Sequence, residues 1–84
     1  MDVTIYTTPF CPFCIMAKRL LKEKGIACNE VGVTNRPDLR SMLVEKSGQR
    51  TVPQIFFGEK SIGGFTDLQA LDASGQLDEL LNSK

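Results

Sequence analysis

Apolar and polar residues alternate one by one at the start of the chain and then regroup into stripes of helical spacing. Val3-Thr4-Ile5-Tyr6-Thr7 is a β-branched and aromatic alternation that predicts a strand, ended by Pro9. From about Pro12 to Lys24, Phe13, Cys14, Ala17, Leu20 and Leu21 recur on one helical face, while Lys18, Arg19 and Lys22 fall on the other. Lys22 and Lys24 suit the negative end of that helix, and Gly25 can close it. A second strand is expected over Ile26 to Val33. A second helix is expected from about Pro37 to Lys46, with Leu39, Met42 and Leu43 inward, Pro37 in the first turn and Gly48 as its stop.

Gln54-Ile55-Phe56-Phe57 and Lys60-Ser61-Ile62 flank Gly58-Glu59, the pattern of a hairpin with a tight turn. Thr66-Asp67-Leu68-Gln69 fits a capping box, with Thr66 at the cap and Gln69 three residues on, opening a third helix. Leu77, Leu80 and Leu81 mark a short last helix beyond Gly75. The order is strand–helix–strand, then helix–strand–strand–helix. The crossover demands a parallel pair and the hairpin adds an antiparallel one. The expected architecture is α/β: a four-stranded mixed sheet with helices on both faces.

Composition narrows the function without altering this plan. Eighty-four residues suit one domain spanning 1–84, without repeat, linker or low-complexity tract. Ten basic and ten acidic side chains cancel, so nothing favours a nucleic acid or an anionic membrane as partner. The first residues lack a basic start followed by an apolar run, and no apolar stretch approaches the roughly 18 residues of a membrane span. A cytoplasmic protein is the expectation. In that setting three cysteines are not a disulfide framework, and the close pair Cys11/Cys14 reads as catalytic or metal-binding.

Cys11-Pro12-Phe13-Cys14 follows the first strand and opens the first helix, the context that gives a Cys-x-x-Cys pair redox meaning. Cys11 falls at the cap, beside unpaired N–H groups and the positive helix end, which together favour the nucleophilic thiolate. Pro12 fits the first helical position, where its missing N–H costs nothing. Cys14 lies one turn deeper on the same side, within disulfide reach; being more buried, it should ionise less readily and act second. A structural metal site usually needs four ligands, and without histidine only Cys28 is left to help, so no metal is expected. Two inert core thiols would be inexpensive on a helix face, yet the Pro12 start argues against that reading.

Three segments together carry a resemblance. Thr7-Thr8-Pro9-Phe10-Cys11-Pro12-Phe13-Cys14, Thr51-Val52-Pro53-Gln54-Ile55-Phe56 and Ile62-Gly63-Gly64-Phe65-Thr66-Asp67-Leu68 resemble the signatures of the glutaredoxin family, in order and in spacing. The likeness runs through Leu71-Asp72-Ala73-Ser74-Gly75 and covers essentially the whole chain. It implies the thioredoxin fold and a cis peptide bond at Pro53. It implies that Val52 pairs with the cysteinyl part of glutathione as a short added strand. The γ-glutamyl carboxylate would meet the Phe65 and Thr66 N–H groups at the Gly64 turn, since a helix N-terminus receives an anion. Asp67 would meet the γ-glutamyl ammonium, and the Phe13 ring would touch the ligand.

Two departures from the family pattern alter these expectations. Family members commonly place Tyr where this chain has Phe13, so the phenol hydroxyl is missing. Many also carry Lys at the position of Thr8, where it helps hold the glycyl carboxylate and the thiolate. Arg40 then becomes the foremost remaining carboxylate partner, ahead of Arg36 and Arg50, and glutathione binding should be weaker than in Lys-bearing relatives. Ile15 is expected to be an exposed apolar spot beside the site, and Cys28 a buried, inert thiol.

The implied chemistry is glutathione-dependent thiol–disulfide exchange on glutathionylated or disulfide-bonded proteins, by a monomer that holds no tightly bound cofactor. Two alternatives remain at this level. A related redoxin would be recharged by thioredoxin reductase instead of glutathione. An iron–sulfur carrier would bridge a cluster between two chains, although family members that do so tend to replace the proline found here as Pro12 with Gly or Ser.

Overall fold

A computed structural model of the chain describes residues 2–82. In chain order the elements are β1 (Val3–Thr7), α1 (Pro12–Glu23), β2 (Asn29–Gly32), α2 (Pro37–Ser47), β3 (Gln54–Phe57), β4 (Lys60–Gly63), α3 (Phe65–Ala73) and α4 (Gln76–Asn82). The four strands form one mixed sheet in the order β2-β1-β3-β4. β1 runs parallel to β2 and antiparallel to β3, and β3 pairs antiparallel with β4.

Period-two alternation on the central strands decides what each face buries. Val3 and Ile5 of β1 join Ile55 and Phe57 of β3 on one face, where they pack on Ala17 and Leu21 of α1, Leu68 of α3 and Leu77 of α4. Phe56 of β3 faces the opposite way and packs with Val33, Leu43 of α2 and the partly buried Tyr6, Leu39, Met42 and Val52. The Tyr6 and Phe56 rings meet edge to face at 5.6 Å. Helices therefore cover both faces, as expected. Every residue of β3 is buried, which is why its apolar run is nearly continuous instead of alternating.

Two boundaries differ from the sequence expectation. β2 covers only Asn29–Gly32, not Ile26–Val33. Ile26 N–H is drawn back to Leu21 O, closing α1 around Gly25 at φ +72°, so the following residues cannot yet pair with β1. Ile26 and Cys28 still pack against the core without belonging to the ladder. The capping box centred on Thr66 does not form. α3 starts one residue before Thr66, at Phe65; the cap is Gly64, whose N–H donates to Asp67 Oδ2 at 3.0 Å. A carboxylate in the first turn suits the positive helix end and displaces Gln69 from the expected role.

Candidate active site

The loop after β1 delivers Cys11 to the N-terminus of α1. Phe10 turns the chain with φ +60°, a left-handed conformation unusual for an aromatic residue, and its side chain is 98% exposed. Cys11 then adopts an extended backbone (φ −103°, ψ 106°) as the helix cap, and Pro12 occupies the first turn. Cys11 Sγ accepts the Cys14 N–H at 3.2 Å, so one of the free donors of the helix end is aimed at the sulfur. The same sulfur lies 4.0 Å from Val52 O, a carbonyl contributed from across the sheet by the loop before β3. The Val52–Pro53 peptide bond is cis.

Cys14 is buried one turn below, and its surroundings are different in kind. Burial pushes its thiol up to about 11, the hydrogen bond with Cys11 adds to the rise, and the Thr8 N–H acts against it. Two thiols within one helical turn are thus unequal. One stands half-buried at the helix end, and the other is held neutral in the core near pH 7. Cys28, expected to be buried, is only half-buried just ahead of β2; burial, then the Glu30 carboxylate, raises its thiol above the usual range. All three cysteines are free.

A groove of about 480 Å³ leads away from Val52. Phe13, Val52 and Pro53 line it, as do Gly64, Phe65, Thr66 and Asp67, so seven residues singled out in the sequence are brought together. Phe13 and Phe65 face each other across it with ring centroids 6.3 Å apart. Phe65 and Thr66 stand in the first turn of α3, where their N–H groups have no partner within the helix. Cys11 is not on the lining itself but adjoins the groove through Val52 O.

Arg40 does not reach this groove. It is exposed on α2 and lines a separate shallow depression with Pro37, Ser41, Val44 and Arg50. Arg36 is engaged by Asp38 through two hydrogen bonds. Gln49, which the sequence reading passed over, lies on the groove instead, beside Ser47 and Thr51. Its position is fixed by a polar knot. Gln54, fully buried in β3, donates to Gln49 O at 2.8 Å, Ser47 Oγ donates to Gln54 Oε1 at 2.7 Å, and Gln49 N–H donates to Ser47 Oγ at 3.1 Å. A glutamine inside an otherwise apolar strand was the available signal, since a buried amide needs partners. Ile15 is 51% exposed beside the site, as expected.

Comparison with known proteins agrees with this geometry. The glutaredoxin family model matches residues 3–62. A glutaredoxin of Pseudomonas aeruginosa is 49% identical over 81 residues, covering 96% of each chain. The solution structure of a glutaredoxin from Brucella melitensis superposes with a TM-score of 0.85 at 49% identity, over 96% of this chain and 88% of that one. A buckwheat glutaredoxin–glutathione complex superposes with a TM-score of 0.88 at 26% identity, over 95% of this chain and 76% of that one.

Proposed function

The chain belongs to the glutaredoxin family and is a glutathione-dependent thiol–disulfide oxidoreductase, and from that premise we propose how its residues divide the reaction. The carrying observation is the position of Cys11 Sγ, which takes the Cys14 N–H at the α1 N-terminus while adjoining the groove at Val52 O. The sulfur there can carry negative charge and meets whatever disulfide is laid along Val52.

Glutathione lies extended in the groove. Its cysteinyl unit pairs with the Val52 backbone next to the cis-proline Pro53, and Phe13 packs against it. The γ-glutamyl carboxylate meets the Phe65 and Thr66 N–H groups beyond Gly64, and Asp67 meets the γ-glutamyl ammonium. At the other end Gln49, on the groove wall, takes the place first assigned to Arg40 in holding the glycyl carboxylate.

In the first step the Cys11 thiolate attacks the glutathione sulfur of a mixed disulfide. The substrate thiolate leaves and takes a proton from water, and Cys11 is left bonded to glutathione. A second glutathione thiolate attacks that sulfur, giving glutathione disulfide and free Cys11. With a protein disulfide, Cys11 forms the mixed disulfide with the substrate. Cys14 then displaces the reduced substrate and closes the Cys11–Cys14 bond, which glutathione reopens. Glutathionylated and disulfide-bonded proteins are the proposed substrates, and a monomer in the cytoplasm, where glutathione holds thiols reduced, is the proposed setting.

The test is reduction of a small glutathione mixed disulfide, coupled to NADPH through glutathione reductase. Turnover in the wild type that vanishes in Cys11→Ser and persists in Cys14→Ser is expected. Turnover supported by thioredoxin reductase and not by glutathione would overturn the proposal.

A further inference from the structure

Beneath the cysteine pair, on the same face of the sheet, lies a charged cluster that the exchange steps above leave unused. Glu30 of β2 stands opposite Ile5 in the β1–β2 register, which turns its side chain toward α1. Its Oε2 accepts from Thr7 Oγ1 at 2.8 Å and from Lys18 Nζ at 3.1 Å. Thr7 is buried at the end of β1, and the next residue, Thr8, presents its backbone toward Cys14, where it works against the effect of burial. Lys18 is four residues after Cys14 on α1, hence its neighbour on the helix surface. Helical side chains lean toward the N-terminus, so the Lys18 stem runs back toward Cys14.

We infer that Lys18, held in place by Glu30 and Thr7, is a positioning residue for the resolving step: its ammonium stabilises the negative charge that Cys14 must carry when it displaces a substrate from Cys11. The inference rests on the resolving role given to Cys14. The Lys18 charge acts on both Cys14 and Cys28 against the effect of burial. Thr7 and Lys18 together hold the Glu30 carboxyl below its usual range, so it keeps its charge at neutral pH and anchors the ammonium. Other charges are directed elsewhere. On α3, Asp72 pairs with Lys24 at the far end of α1, and Asp67 caps its own helix. Among the described residues, the titratable groups that act on Cys14 are therefore Cys11 and Lys18; Cys28, neutral near pH 7, adds no charge.

The step balances without another reactant. The Cys14 thiolate attacks Cys11 Sγ, the Cys11–substrate bond breaks as the Cys11–Cys14 bond forms, and the released thiolate takes a proton from water. Lys18 and Glu30 side chains are 39% and 45% exposed, so solvent screens the effect. One neighbouring charge acting through a water-like medium moves the pH midpoint of the step by about 0.5. Because a more basic thiolate is also a better nucleophile, the rate at pH 7 changes only about twofold.

The experiment is stopped-flow single turnover of the reduced full chain with a disulfide-bonded peptide, from pH 7 to 12, a range that spans the ionisation of Cys14. It follows closure of the Cys11–Cys14 bond, with the first attack by Cys11 as the internal reference. Lys18→Met is expected to raise the midpoint of the closing step and slow it about twofold relative to the first. Glu30→Gln leaves the ammonium without its counter-charge and is expected to shift the midpoint the opposite way. Lys18→Arg should restore wild-type behaviour, and both shifts should shrink in about 1 M salt. Either substitution removes the same ion pair, so a purely structural role would move both variants in one direction. That result, or a midpoint unchanged in Lys18→Met, would overturn the inference. Loss of the first attack in wild type would instead count against the assignment of Cys11.

Discussion

Substituting Gly63 by alanine tests the groove where its geometry is most demanding. Gly63 closes β4 with φ +111°, a backbone conformation that side-chain-bearing residues rarely adopt. A Cβ there would also run into Asp67, with Cγ at 2.7 Å and Cβ at 2.9 Å, and its carboxylate oxygen Oδ2 closer still. That oxygen accepts the Gly64 N–H at the head of α3, so the substitution strains the backbone and dislodges the cap together. The backbone term is about 1–2 kcal/mol and the lost cap about 1 kcal/mol. A loss of about 2–3 kcal/mol is expected in urea unfolding, equivalent to a fall in Tm of about 10–20 °C for a chain of this size. In the coupled glutathione assay KM should rise, because Asp67 and the first turn of α3 form one wall of the groove. Gly64→Ala is the control. Its backbone is ordinary (φ −98°), and a Cβ would meet only Pro53 O at 3.3 Å, so a cost of about 0.5 kcal/mol is expected. Equal stability losses in the two variants, or a Gly63→Ala protein within about 0.5 kcal/mol of wild type, would refute the reasoning.

Four further outcomes follow from the same geometry. The Cys14 thiol ionises near 9.0 when free and at about 11 in the fold, so its stabilising contribution is complete below pH 9 and is lost as pH rises toward 11. Urea midpoints of the reduced protein should fall by the equivalent of about 2–3 kcal/mol over that window relative to Cys14→Ser, and parallel curves would contradict the burial argument. Leu21→Ala, which empties a fully buried site between α1 and the sheet, should cost about 2–5 kcal/mol in chemical denaturation. Gln49→Ala should raise KM for glutathione several times more than Arg40→Ala, because only Gln49 lies on the groove. Thr8→Lys should lower that KM; a lower value in wild type would show that the missing cation is immaterial.

Strand periodicity and helical stripes made the order of elements legible because they report burial on one face, which a single chain records directly. Val3, Ile5, Ala17 and Leu21 face one another as their spacing predicts. The ends were less legible. Where β2 begins depends on which backbone group takes the Ile26 N–H, and the Leu21 carbonyl does so through a turn at Gly25. The Thr66 motif satisfied a local capping rule, yet Asp67 offered a charged acceptor to Gly64 and the helix started earlier. At the site, the structure brings the motif residues close in sequence or anchored by the cis-proline segment onto one groove, whereas Arg40 lies off it. Arg40 was favoured for its charge, but the orientation of α2 over the sheet directs it elsewhere, and no periodicity in α2 records that rotation.

The assembled site uses one electrostatic device twice, once at its reactive end and once along its groove. The N-terminus of α1 serves the sulfur of Cys11, and that of α3 serves the groove beyond Val52. Each helix end follows a turn with a positive φ, at Phe10 and at Gly63, so neither cap depends on the side chains of the other. What joins them is the Thr51–Pro53 segment, whose Val52 touches the cysteine with its carbonyl and lines the groove with its side. A change at Gly63 should therefore raise KM with little effect on the reactivity of Cys11 toward a small alkylating reagent. A change in the cap at Cys11 should do the reverse. Substitution at Val52–Pro53 alone should disturb both, because that segment sets the distance between a bound glutathione sulfur and the thiolate that attacks it.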